Sequence, residues 1–267
     1  RCQDQRIRPL AIRIEWREEI ESIRVNNHQL PPVFDHLFDK LFCALVLRNA
    51  ASDSHRGRFF EQIVDLGKGP PCPRTIVVPA HSPHPGSGSG ANCAYLQAGE
   101  TRLLLDAGFS GRQIRQRLAG ISRSPESLHG ILITHEHSDH IQGLAALASK
   151  MQVPIYCNRL TREAIENQLQ IRLDCRVFST GASFEIGEVT VDTFSVPHDA
   201  QDPVGFLLRT QAGNIGFLTD LGHATKLVLE RVKPSNVLVL ETNHDLKLLQ
   251  DDTKRPWSIK QRILSRH

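Results

Sequence analysis

The stretch GILITHEHSDHIQG, residues 130–143, sets four proton- or metal-binding side chains beside a short apolar run: His135, His137, Asp139 and His140. GILIT has the form of a buried strand and IQGLAALASK that of a helix, so the polar residues fall in a strand-to-helix loop. If Thr134 to His137 leaves the strand still extended, the two-residue period turns His135 and His137 to one side. Asp139 and His140 then occupy the turn that starts the helix. Four side chains so placed can converge on one point, or on two points a few ångströms apart. Imidazole plus carboxylate is a ligand set for zinc and similar divalent ions, and the lack of thiolates sets it apart from closed structural zinc sites. The alternative is a solvated, histidine-rich turn that holds no ion.

The text around this loop predicts an α/β (α+β) fold. NCAYLQAG and TRLLLDAG read as strands joined by a glycine turn, and Ser110 can cap a helix running through Gln113 to Leu118. VPIYC is a strand, TREAIENQL a helix, and FEIGEVTVDTFSV, VGFLLRT and NIGFLTD are strands with glycine-containing turns. A helix near Lys226 to Arg231 precedes a buried strand, NVLVLET. Strands outnumber helices and the two are interleaved, which suggests sheets sandwiched between helical layers.

Residues 1–84 read differently. IRIEWREEIESIRV could form an amphipathic helix, and FDHLFDKLFCALVL has apolar residues at helical spacing. GKGPPCPR and PAHSPHPGSGSG then break any regular element, which puts a boundary near residue 85. On this reading 1–84 is an extension or linker that need not be compact, and 85–267 is the domain that carries the chemistry. The six cysteines are scattered without a CxxC pair, as expected of reduced thiols in the cytoplasm. No apolar run approaches the ~20 residues of a membrane span, and the N-terminus lacks the apolar stretch of a secretory signal. A net charge of +3 permits an anionic partner without demanding one. The chain starts at Arg1, has its single methionine at Met151 and stops at His267 inside a basic, helix-like stretch, so it is expected to be a fragment or a mis-called reading frame.

HEHSDH resembles the HxHxDH signature of the metallo-β-lactamase fold superfamily, hydrolases with an αββα sandwich and a one- or two-metal site at the edge of the sheets. VPHDA, with His198, and FLTDLG, with Asp220, follow in the order of that family. The resemblance implies that His135, His137 and His198 hold one metal, that Asp139 and His140 hold a second, and that Asp220 bridges them. GSGSGANCAYL, LLLDAG, TDLG, ETNHD and PWSIKQRILS together resemble the YycJ/WalJ-type subfamily of bacterial cytoplasmic proteins, exonuclease-like phosphodiesterases acting on DNA. That likeness covers residues 85 to 267. The subfamily continues past a stretch like ILSRH to one more histidine ligand, so the second metal site is expected to be incomplete here.

The resemblance and the residues lead to one functional expectation: hydrolysis of a phosphodiester by a metal-activated water. Two divalent ions are implied, with zinc expected and manganese the alternative. Asp139 would orient the water while holding its metal. His244 in ETNHD would contact a phosphate or protonate the leaving group, the alternative being a surface loop residue, and Asp106 would orient a ligating histidine, the alternative being a plain turn aspartate. Gly86, Gly88 and Gly90 could cradle an anion, although a flexible linker accounts for them better. Lys247, Lys254, Arg255, Lys260, Arg262 and Arg266 form a basic tail suited to a nucleic-acid backbone, DNA ahead of RNA. Trp257 is expected in the core and could stack a base only if exposed. The rivals are hydrolysis of a carbon ester, thioester or lactam at the same site, and a non-catalytic nucleic-acid-binding module. A redox role is disfavoured, because di-iron members of the family need an acidic residue where His137 stands.

Overall fold

The computed structural model describes residues 43–48, 64–65, 75–81, 91–242 and 250–266. Among them the strands are β1 (Cys43–Arg48), β2 (Val64–Asp65), β3 (Thr75–His81), β4 (Asn92–Ala98), β5 (Thr101–Leu105), β6 (Gly130–Leu132) and β7 (Ile155–Asn158). They continue with β8 (Cys175–Phe178), β9 (Ser183–Ile186), β10 (Val189–Ser195), β11 (Val204–Thr210), β12 (Gly213–Leu218) and β13 (Val237–Thr242). The helices are α1 (Gly111–Gly120), α2 (Ser138–Ile141), α3 (Leu144–Met151), α4 (Arg159–Leu169), α5 (Lys226–Val232) and α6 (Trp257–Arg266). One sheet has the order β1-β13-β12-β11-β10-β9 and the other β2-β3-β4-β5-β6-β7-β8.

The layers follow from side-chain alternation. Leu103 and Leu105 of β5 face one way, where they meet Val191, Phe206, Leu208 and Phe217 of the opposite sheet. Leu104, between them, faces the other way and packs with Ile131 and Ile155 against Ile114 and Leu118 of α1, Leu144 and Leu147 of α3 and Ile165 of α4. The second sheet repeats the arrangement: Leu207, Leu218, Leu238 and Leu240 pack against Val228 and Val232 of α5. The result is the αββα sandwich. Each fully buried leucine contributes about 1.5–3 kcal/mol. The helix after Ser110 is capped by that residue as expected, and the structure adds the reciprocal bond of a capping box, with Ser110 N–H donating to Gln113 Oε1 at 3.2 Å and Gln113 N–H to Ser110 Oγ at 3.4 Å.

Three features depart from the sequence reading. CALVLR, within the run of helical spacing, is strand β1 and pairs in parallel with β13 from Cys43↔Val237 to Arg48↔Thr242. Periodicity cannot separate helix from strand in so short an apolar run, and the waiting edge of β13 decides it. Pro79, Ala80 and His81, expected in a loop, lie in β3 and pair with β4. Proline is tolerated there because β2 pairs only with Ile76 and Val77, and among the described residues the rest of β3 has no ladder on that side. Finally, β8 lacks a sequence signal, since Arg176 and Val177 are exposed and only Phe178 is buried. Thus β1, β2 and β3, all ahead of residue 85, pair into the same two sheets as the rest.

Candidate metal centre

The loops after β5, β6, β10 and β12 meet at one edge of the sandwich. Beyond β6 the chain stays extended, and His137, with φ −62° and ψ 147°, is the last residue before α2. The rings of His135 and His137 are 4.6 Å apart. His198, beyond β10, brings its ring to 4.6 Å from His135 and 4.8 Å from His137. Asp220 follows β12 with φ 50°, a left-handed conformation uncommon for a residue with a side chain. Its Oδ2 lies 2.8 Å from His140 Nε2, 3.3 Å from His135 Nε2 and 3.8 Å from His198 Nε2. Asp139 Oδ2 is 3.7 Å from His140 Nε2. Two groups that could hold an ion result: His135, His137, His198 and Asp220, and Asp139, His140 and Asp220, with their donor atoms within 4.8 Å of one another in each.

A buried network holds these side chains in place. Asp106, at the end of β5 and fully buried, accepts from Thr134 N–H at 2.8 Å and from the Thr134 hydroxyl at 2.9 Å. Its Oδ2 also lies 2.8 Å from His140 Nδ1, so it orients that ring as a carboxylate behind a ligating histidine should. The Thr134 hydroxyl is 2.9 Å from His135 Nδ1 as well. Glu136 Oε1 accepts from Gln201 N–H at 2.8 Å, and Val204 N–H donates to Thr134 O at 3.1 Å, which ties the His198 loop to the His135 loop. Gly108 must be glycine: a Cβ there would sit 1.6 Å from the backbone oxygen of Asp139. Thr134, Glu136 and Asn92, whose Nδ2 is 2.9 Å from His140 Nε2, escaped the sequence reading. Their only available signal was adjacency to the motifs, since threonine, glutamate and asparagine are ordinary loop residues.

The donor set fits divalent ions. Ligands about 2 Å from a tetrahedral ion stand about 3.3 Å from one another. His135 Nε2 and Asp220 Oδ2 are separated by 3.3 Å, and His137 Nδ1 and His198 Nε2 by 3.1 Å. His135 Nε2 is buried and makes no hydrogen bond despite that carboxylate, as expected of a nitrogen shaped for an ion. Burial, together with neighbouring His140, holds His135 well below the usual imidazole range and keeps its ring neutral. Burial would also lower His140, but the carboxylates of Asp106 and Asp220 outweigh it and raise that ring well above the usual range. For Asp220 burial acts upward, and the imidazoles of His140 and His135 overcome it to hold the carboxyl well below its usual value. Burial pushes the Asp139 carboxyl up.

Residues 101–254 match the β-lactamase superfamily domain. The chain belongs to the metallo-β-lactamase superfamily. It is 38% identical over 181 residues to the exodeoxyribonuclease YycJ of Bacillus anthracis, covering 67% of this chain and 68% of that one. To the exodeoxyribonuclease WalJ of Streptococcus pneumoniae it is 38% identical over 183 residues, with 67% and 68% covered. A more distant relative is ribonuclease J of Sinorhizobium meliloti, 26% identical over 103 residues that span 37% of this chain and 18% of that protein.

His244, Lys247 and the glycines at 86, 88 and 90 lie outside the described residues. Trp257 is 66% exposed, so the expectation of core packing is corrected: it opens α6, whose first residues have no apolar layer over them among the described residues. Lys254 and Arg255 are exposed, whereas Lys260 is buried and donates to Gln250 O at 2.8 Å. Arg262 and Arg266 lie in α6, with their side chains outside the described set. Among the described residues no helix is long and apolar enough to cross a membrane.

Proposed function

We propose that the chain is a metal-dependent phosphodiesterase that cleaves nucleic acid, with DNA as the substrate and an exonucleolytic mode. The observation that supports it most is the meeting of His135, His137, Asp139, His140, His198 and Asp220 in two groups sharing one carboxylate. The named activity of the YycJ and WalJ relatives supports DNA. We assign two divalent ions, zinc first and manganese second. The first is held by His135, His137, His198 and Asp220, and the other by Asp139, His140 and Asp220. When bound, such ions supply a water of lowered pKa and positive charge beside the non-bridging phosphate oxygens. Asp220 holds the two groups in register, and Asp106 keeps the His140 ring turned toward them. Asp139 Oδ2 accepts a hydrogen bond from the attacking water and aims it at phosphorus. His244, two positions beyond the end of β13 in the sequence, contacts a phosphate or protonates the leaving oxygen. The free thiols Cys93, Cys157 and Cys175 support action in the reducing cytoplasm.

The test is incubation of the metal-loaded protein with labelled single- and double-stranded DNA and RNA across a panel of divalent metals. Cleavage of DNA that disappears in His137→Ala and Asp139→Ala, with circular dichroism unchanged, is the expected result. Full activity in a metal-stripped Asp139→Ala protein would refute the reading. The ribonuclease J relative favours including RNA as a second reading, and the same assay separates the two.

A further inference from the structure

The geometry points to Asn92 as a catalytic donor whose side-chain Nδ2–H binds a non-bridging oxygen of the scissile phosphodiester. This inference rests on the phosphodiesterase reading above and adds a contact to it.

Asn92 is the first residue of β4 and is only 3% exposed. Its backbone is fixed on two sides, by pairing opposite His81 of β3 and by accepting from Gly108 N–H at 2.8 Å. The side chain has little freedom to aim elsewhere. It brings Nδ2 to 2.9 Å from His140 Nε2, the ring nitrogen that faces the second ligand group. That nitrogen has one in-plane position, which holds a proton, a lone pair or a cation. Asp220 Oδ2 stands 2.8 Å from the same atom. A free lone pair there accepts from the amide, whereas a cation held there consumes it, so the metal-loaded His140 has nothing left to accept from the amide. A buried N–H without an acceptor is unfavourable, and native structures supply one.

The other duties at this ring are already filled. Asp106 orients it from Nδ1 at 2.8 Å, so Asn92 is not required to set its tilt. A neutral amide neither competes with Asp139 and Asp220 for a cation, as a third carboxylate would, nor repels it, as lysine would. What remains is a fixed, dry N–H beside the groups that would hold the reacting phosphate. Its missing acceptor arrives with the substrate: an anionic oxygen whose charge rises as the phosphorus is attacked. Donors of this kind act mainly on turnover, because they bind best where charge develops.

The experiment uses the metal-loaded full chain, a labelled single-stranded oligonucleotide, and the variants Asn92→Ala and Asn92→Leu, the second keeping the shape but lacking the N–H. The expected result is a fall in kcat of about 10²-fold in both, as for loss of one oxyanion donor. KM should hold within roughly threefold and metal content should not change. A second readout needs no turnover: the Asn92 side-chain ¹⁵N–¹H signals of the unsubstituted protein, assigned by their loss in the variants, should shift when inorganic phosphate is added. Unchanged kcat in folded, metal-loaded Asn92→Ala would overturn the proposal, as would loss of an ion from it, which would make Asn92 Oδ1 a ligand. If the unsubstituted protein cleaves no nucleic acid, the phosphodiesterase reading fails by itself. The phosphate shift then decides Asn92 alone, its presence supporting the donor role and its absence overturning it.

Discussion

The group of His135, His137 and His198 and the group of Asp139 and His140 share Asp220 yet are held in different ways. In the first, three imidazoles reach each other from two separate loops, and His137 Nδ1 meets His198 Nε2 across 61 positions of chain at 3.1 Å. Their alignment depends on how the loops after β6 and β10 are tied together. In the second, His140 is fully buried and braced on its far nitrogen by Asp106, itself fully buried. Convergence builds the first group and rigid bracing builds the second. Loop variation should therefore disturb the first more easily, whereas loss of a single brace should cripple the second.

The largest expected effect comes from the residue that abolishes the contrast. Asp220→Ala removes the carboxylate common to both groups, so metal content should fall toward zero and turnover by more than about 10³-fold, well beyond the 10–100-fold typical of an outer brace. Elemental analysis beside a cleavage assay checks it; two retained ions would show that Asp220 is not shared. His137→Ala should empty only the convergent group, giving one ion per chain. Loss of both ions in that variant would mean that the groups are not independent.

Asp106→Asn tests the braced group. It should weaken one ion by about 10–100-fold and leave the other alone, measured by competition with a chelator. Asp106→Ala goes further, leaving Thr134 N–H and His140 Nδ1 without their partner, and should cost about 2–4 kcal/mol in denaturant unfolding. Thr134→Val is gentler, at about 1–2 kcal/mol, because the backbone N–H of Thr134 keeps its bond to Asp106 while the hydroxyl contacts to Asp106 and His135 are lost. Affinity for both ions should drop in that variant; a change in only one would place Thr134 with a single group.

The smallest effect concerns pH in metal-free protein. Because the folded state raises His140 above its usual 6.5, its contribution to stability is complete below pH 6.5 and is lost as pH rises through the raised value. Ions compete with that proton, so affinity for the braced group should climb over the same interval. Unfolding curves and metal titrations at several pH values check both slopes, and a metal-free stability that grows with pH there would contradict the sign.

Much of the fold after residue 91 was legible because its signals are local. The two-residue alternation around Leu104, the helix cap at Ser110 and the short run GILIT need no knowledge of neighbours. Four ligand candidates stood out because histidine and aspartate crowd into HEHSDH, whereas His198 and Asp220 were legible only through the family resemblance of VPHDA and FLTDLG. Less was legible where pairing partners decide the outcome. CALVLR became a strand through the edge of β13, and CRVF became β8 with two of its four side chains exposed. Trp257 showed the opposite failure: an aromatic residue normally signals a core, but core membership depends on what packs over it.

The amino-acid order alone therefore determined the alternating layers, the candidate ligands and the loops that carry them, because periodicity and motif chemistry are properties of adjacent residues. Only the tertiary structure decided that Asp220 lies between two groups, that Asp106 and Thr134 brace them, and that Asn92 reaches His140. Those relations join strands far apart in the chain, and their distances are set by sheet register and packing, which no single segment encodes.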